Sequence, residues 1–261
     1  MSLPAHDDDA EPPLSPADPW NALRAHTPAR IALGRSGASL PTRELLAFGV
    51  AHAQARDAVH AALDVTALRA GLAGFGLPIL EVRSAAPNRA AYLARPDWGR
   101  RLDPASAAVP SASVTPPAVL FVIADGLSAV AAQRHAVPLL AATLPLLEGL
   151  AVGPLVMATQ ARVALADAVA IRLGARLVVS LIGERPGLSA PDSLGAYVTC
   201  APQPGTTDAE RNCLSNIRPE GLGYAEAAQQ LVALIRAALA AGRSGVALSM
   251  QAAPAPSAIE R

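Results

Sequence analysis

From residue 78 onward, short apolar runs alternate with stretches whose apolar residues recur at helical spacing. The runs are Ile79–Val82, Ala118–Ala124, Leu155–Ala158, Leu177–Ile182 and Ala196–Cys200, each of strand length. Helical periodicity falls at about 128–150, 164–173 and 224–241; the last stretch carries Leu231, Val232, Leu234, Ile235 and Leu239. Fully apolar strands alternating with helices predict a parallel sheet covered on both faces.

The first third is different. Ser15 is placed to cap a short helix through Trp20, Leu23 and Arg24, and Ala29–Leu40 is a Gly/Ser-rich loop. Thr42 then caps a longer helix carrying Leu45, Leu46, Phe48, Val50, Ala55, Val59 and Leu63, and a further helix at 66–73 ends at Gly74 and Gly76. The expected fold class is therefore α/β: a doubly wound, mostly parallel Rossmann-like sheet preceded by a helical N-terminal region. The expected organisation is a disordered leader at 1–14, helices over 15–76, the α/β domain at 77–250 and a loose tail at 251–261. The Pro-rich segment 103–117 reads as a connection.

Composition narrows the function. The formal net charge is zero, which gives no broad attraction for nucleic acid or an anionic membrane. The most apolar stretch, about 136–158, contains Glu148 and the prolines Pro138, Pro145 and Pro154, so it is a poor bilayer span. The acidic, Pro-rich start is no secretory signal, and a cytoplasmic protein is expected. All 21 basic residues are arginine. Coding bias explains most of that, and bidentate recognition of carboxylate or phosphate is the functional reading of the remainder. Cys200 and Cys213 have neither CxxC spacing nor neighbouring histidines, so neither zinc nor a disulfide framework is expected.

In an open parallel sheet, ligands bind beyond the carboxyl ends of the strands. There the sequence offers Asp125-Gly126-Leu127-Ser128, then Gly183-Glu184-Arg185-Pro186-Gly187, then a polar segment from Thr206 to Arg218. Each has a plainer use: Asp125 as a helix-entry device, Glu184 with Arg185 as a surface pair, Cys213 as a small buried hydrophobe. His6, His26, His52, His60 and His135 are scattered. The sequence contains no dinucleotide fingerprint after the first strand, no P-loop, no GxSxG and no HExxH. It suits a binder better than a self-contained catalyst.

Several stretches, in colinear order over about residues 20–250, resemble the small (light) subunit family of ethanolamine ammonia-lyase. They are Ala29–Gly37, Pro41–Arg43, Ala51–Val59, Tyr92–Leu102, Asp125–Ser128, Gly183–Leu188 and Cys213–Ile217. The resemblance implies a lyase that converts ethanolamine to acetaldehyde and ammonia by a radical route. It implies adenosylcobalamin held between this chain and a large catalytic subunit within a higher-order hetero-oligomer. By position it implies cofactor contacts at Val163, Glu184 and Cys213, with no catalytic residue and no metal ligand on this chain. The string Asp-x-His-x-x-Gly does not occur, so the cofactor's own base is expected to remain on cobalt. In this family a leader can direct packaging into a bacterial microcompartment.

Two other readings compete: a stand-alone cobalamin or nucleotide binding module, and a small subunit that touches no cofactor. The first would need a self-sufficient pocket. A subunit should instead expose an apolar interface when alone.

Overall fold

Two of the apolar runs become strands buried along their whole length. The computed structural model describes residues 19–27, 29–108 and 116–252. The expected leader lies outside these residues, as does the expected tail beyond residue 252. The chain forms two compact units, residues 1–54 and 55–261.

In the first unit a 3₁₀ turn at Pro19–His26 and a loop bridged between Ser36 and Ser39 precede helix α1 (Thr42–His60), which begins at Thr42 itself and whose last residues belong to the second unit. Glu44 is buried and pairs with Arg43 at 3.1 Å and Arg24 at 3.6 Å. Leu45, Leu46, Phe48 and Val50 are exposed on the same helix, as are Trp20, Leu23 and Leu40 before it.

The second unit is a mixed α/β arrangement around one six-stranded, mostly parallel sheet. Helix α2 (Val65–Ala73), capped by Asp64, leads into β1 (Ile79–Arg83). Short helices α3 (Arg89–Ala94) and α4 (Pro96–Gly99) follow, then β2 (Val119–Ala124), α5 (Ala129–Thr143), β3 (Val152–Thr159), α6 (Val163–Leu173) and β4 (Leu177–Gly183). The chain closes with β5 (Leu194–Cys200), β6 (Asn212–Ile217), α7 (Tyr224–Ala241) and α8 (Val246–Ala252). The strand order is β1-β3-β2-β4-β5-β6. Strands β1, β3, β2 and β4 run parallel, while β5 runs antiparallel to both β4 and β6.

Alternation across the pleat explains the wholly apolar runs. Phe121, Ile123, Leu155, Met157, Val179 and Leu181 share one core with Leu68 and Leu72 of α2, Leu139 and Leu140 of α5, and Leu231 and Ile235 of α7. Leu120, Val122, Val156, Ala158, Val178 and Ile182 enter a second core with Leu165 and Val169 of α6.

Two expectations change. Residues 184–193 contain no helix and are too few for a parallel crossover, which takes about a dozen residues or more. Strand β5 therefore reverses direction, and its carboxyl end lies away from those of the parallel strands. The polar segment expected as a loop through Thr206–Arg218 contains β6, whose residues are mostly half-exposed or exposed. An edge strand wetted on one face shows no apolar run. Cys213 is accordingly a strand residue.

The edge at β6 is tied back by a buried ion pair. Arg211 donates Nη1 to Asp167 Oδ1 at 2.7 Å and Nη2 to Asp167 Oδ2 at 2.6 Å, with further bonds to Thr199 Oγ1 at 2.9 Å and Thr206 O at 3.0 Å. This is the bidentate use of arginine that lysine could not reproduce. Removing one partner of such a pair leaves an uncompensated buried charge. Asp167→Ala should cost about 3–5 kcal/mol of unfolding free energy. Urea titration of the full chain checks this, and an unshifted midpoint would show that the pair contributes nothing.

Candidate functional site

The carboxyl ends of β2 and β4 are pinned to one another by backbone contacts that only glycine permits. Gly126 adopts φ +56°, and a Cβ there would lie 2.2 Å from the Gly183 carbonyl oxygen. A Cβ on Gly183 would lie 1.9 Å from Ser128 O. Leu127 N donates to Gly183 O at 2.9 Å, and Ser128 caps α5.

Asp125 supplies the third tie. Its carboxylate is 3% exposed and accepts from Gln160 N at 2.8 Å and Ala161 N at 2.9 Å, fixing the turn from β3 into α6. Arg89 Nη1 approaches the same carboxylate at 3.6 Å and donates to Gly126 O at 2.8 Å, while its Nε donates to Val59 O at 2.7 Å. Asp125 is structural, but not as the expected helix-entry device: Ser128 caps the helix that follows it, and the Asp125 carboxylate ties the β3–α6 turn instead. Its charge is spent inside the protein.

Beside these ties is a half-open cleft of ≈ 250 Å³, lined by residues that include Leu127, Val163, Ile182, Glu184, Arg185 and Tyr197. Tyr92 and Arg162 complete one wall. Tyr92 is fully buried, donates its hydroxyl to Ala161 O at 3.2 Å, and is pushed up to about 12 by burial, against the pull of the Arg162 charge. The guanidinium groups of Arg162 and Arg89 lie 4.5 Å and 4.7 Å from its ring centroid.

The structure brings Val163 and Glu184 together in this cleft. Val163 opens α6, behind an N-cap residue, Arg162, whose side chain makes no capping bond. Glu184 Oε2 accepts from Ser193 Oγ and from Asn216 N at 3.2 Å. Gly195 makes room for this carboxylate, because a Cβ there would lie 2.9 Å from Glu184 Oε1. Cys213 is not among the cleft's lining residues. It sits opposite Tyr197 in the β5–β6 register. Tyr197 connects Cys213 to the cleft.

Tyr92, Arg162 and Tyr197 went unremarked as candidates in the sequence. Only adjacency to Val163 marked Arg162. Among the described residues, no cluster of histidine, cysteine and carboxylate side chains could hold a metal, and no helix is long and apolar enough to cross a membrane. A larger cleft of ≈ 400 Å³ lies where α6 and α7 end, but Gly174, Ala175, Ala201, Pro202 and Gly242 make up half its lining, and its Cys200 thiol is bonded to Ala238 O at 3.3 Å. It offers a poorer donor set.

The segment 184–193 that carries Glu184 is anchored at its far end. Asp192 accepts from Arg134 Nη1 at 2.9 Å, and Pro191 O accepts from Ser128 Oγ at 2.8 Å. His135, 5% exposed, bonds through Nδ1 to the Tyr224 hydroxyl at 2.8 Å and faces Asp192 at 3.5 Å. Burial lowers the His135 pKa, with Asp192 opposing. The neutral form is thus favoured by folding. Stability is complete above the unfolded value of about 6.5 and is lost as pH falls from there toward the lowered folded value. Thermal melts at pH 7.5 and 5.5 should show this loss, and His135→Gln should shrink it; an equal loss in both proteins would contradict the assignment.

Burial pushes the Cys213 thiol up to about 11; the Tyr197 hydrogen bond pulls it down, and the negative Glu184 pushes it further up. Cys213 is then a neutral thiol at physiological pH, unsuited to act as a thiolate nucleophile or metal ligand. Although Cys213 as a residue is exposed, its thiol should react with iodoacetamide at least about tenfold more slowly at pH 7.5 than a free thiol of ordinary pKa. Peptide mapping against time reads the rate, and ordinary reactivity would overturn this placement of the proton.

Comparison with known proteins gives a consistent result. The family model for the ethanolamine ammonia-lyase light chain (EutC) matches residues 17–249. An ethanolamine ammonia-lyase small subunit from Ralstonia nicotianae is 54% identical over 254 residues, covering 95% of this chain and 94% of the relative. Small subunits from Bradyrhizobium diazoefficiens and Azotobacter vinelandii are 55% and 54% identical, covering 92% and 91% of this chain and 94% and 91% of those relatives.

Proposed function

Because the chain belongs to the ethanolamine ammonia-lyase light-chain family, we propose that it is the cofactor-facing small subunit of an adenosylcobalamin-dependent ethanolamine ammonia-lyase. In this reading it is active only when assembled with a large catalytic subunit. The observation that carries the reading is the convergence of Val163 and Glu184 on one half-open cleft at the carboxyl edge of the sheet. Helices on both faces of that sheet support a Rossmann-like, doubly wound description, for which this edge is the ligand edge.

The residues present fit an edge of a corrin. Its rim of carboxamides asks for acceptors and donors side by side, with apolar surface between them. Glu184 Oε1 accepts, Arg162 donates, and Val163, Leu127 and Ile182 are apolar. When bound, the group supplies homolysis of its cobalt–carbon bond, which starts the radical conversion of ethanolamine to acetaldehyde and ammonia. This chain's residues bind and orient. Glu184 is held by Ser193 and the Asn216 amide, so it meets a ligand in a fixed position. Cys213 keeps its proton and supports Tyr197 from behind. None of these side chains is proposed as a cobalt ligand, in keeping with a base-on cofactor.

A volume of ≈ 250 Å³ falls below the roughly 300–1,000 Å³ that encloses a drug-sized ligand. Adenosylcobalamin is larger still, so a second chain must cover the remainder. A stand-alone binding module would need a deeper pocket. The exposed Leu45, Leu46, Phe48 and Val50 on α1 support burial against a partner in a higher-order hetero-oligomer. We place that assembly in the bacterial cytoplasm, inside a microcompartment in hosts that build one.

Ammonia release from ethanolamine, with adenosylcobalamin added, tests the reading on this chain, the cognate large subunit and their mixture. Activity is expected in the mixture alone, and Glu184→Ala should weaken cobalamin binding to the assembled complex by about tenfold or more. A large subunit fully active by itself would remove the reading.

A further inference from the structure

Arg162 presents a problem that the fold does not solve. Among the described residues its Nε is buried with no hydrogen-bond partner, as is Arg89 Nη2, whereas Arg134 and Arg211 find carboxylates. An unpaired buried donor is costly, and natural proteins keep few of them. The side chain is nevertheless held with care. Its backbone N donates to Gly99 O at 2.8 Å, and a Cβ on Gly99 would come within 2.8 Å of Arg162 Cγ. Glycine at 99 therefore leaves the channel through which the Arg162 stem passes. The guanidinium then rests on Tyr92, itself fixed by its hydroxyl bond to Ala161 O.

This arrangement places a rigid, planar fork of donors in the wall of the cleft. Arg89 stacks on the same ring, but Asp125 lies 3.6 Å from it and offsets its charge, so the Arg162 guanidinium is the donor this wall presents. A guanidinium already ordered before binding loses little conformational freedom when it engages a ligand.

We propose that Arg162 is a ligand-anchoring residue whose guanidinium donates to an acceptor oxygen of the molecule held in the cleft. The proposal rests on the reading of that cleft as the cobalamin site. Two oxygens of cobalamin have the required chemistry: a carboxamide carbonyl on the corrin rim and the phosphodiester of the nucleotide loop. Both accept hydrogen bonds from a planar guanidinium.

The test uses the assembled complex of this chain with its large subunit and measures affinity by equilibrium dialysis, with cyanocobalamin and cobinamide as probes. Cobinamide retains the corrin carboxamides and lacks the phosphodiester. Arg162→Gln should weaken cyanocobalamin binding roughly 10- to 100-fold, with melting temperature and subunit assembly unchanged. Arg162→Lys, which keeps the charge without the fork, should fall between the two. An equal loss for cobinamide assigns the contact to a carboxamide; unchanged cobinamide binding assigns it to the phosphodiester.

Val163→Trp, which fills the cleft, separates this proposal from the site reading. If Val163→Trp abolishes binding while both Arg162 variants bind as the wild type does, the anchor is overturned and the site stands. If all three bind normally, the ligand lies elsewhere and both fail. A fallen melting temperature or failed assembly in both Arg162 variants would make the side chain a structural strut and overturn the anchor.

Discussion

The carboxylate of Asp125 holds the carboxyl edge of the parallel strands together. It lies at the end of a central, wholly buried strand, where a charge is expensive unless it is compensated. Two backbone amides of the β3–α6 turn and the Arg89 guanidinium provide that compensation. Because those amides belong to Gln160 and Ala161, the same bonds set where Arg162 and Val163 emerge. Gln160 is held at φ +53°, a conformation that a non-glycine residue adopts at a cost. Neutralising one buried charge therefore positions one wall of the cleft.

A second constraint acts across the sheet. The parallel strands alone would leave β4 with a free edge. The antiparallel pair β5–β6 covers that edge and brings in Tyr197 and Cys213. The Arg211–Asp167 fork ties that pair to α6, whose first residue is Val163. Helix α6 is thus fixed at its first turn by Asp125 and in its middle by Arg211. Both anchors are polar groups buried by an otherwise apolar element, and each gives directional geometry that alanine-rich packing lacks.

Much of this arrangement was legible in the chain itself. The five apolar runs all became strands, and the long helices fell close to their periodic stretches. Strand β6 escaped because Asn212, Ser215 and Asn216 break any apolar run, and α3 and α4 because they are too short to show periodicity. The reversal of β5 was encoded in the brevity of segment 184–193, a length cue that an apolar run does not carry. For the site, Val163 and Glu184 were reached through resemblance, and their shared cleft is a tertiary fact. Tyr92, Arg162 and Tyr197 come from α3, the β3–α6 turn and β5. No spacing rule links residues that meet only when a sheet folds.

The same physics accounts for a site that is only half built. A large ligand enclosed by one chain would need a pocket deep enough to swallow it, with every buried polar group satisfied when the ligand is gone. This chain presents a shallow wall in which Glu184 accepts from Ser193 and the Asn216 amide through Oε2. Its donor, Arg162, is held ready by stacking on an aromatic ring. The exposed apolar side chains of α1 are costly in water unless another surface covers them. On the proposed function, a site divided between two chains would be complete only on assembly, so that the cofactor would be enclosed only where the substrate site is also present.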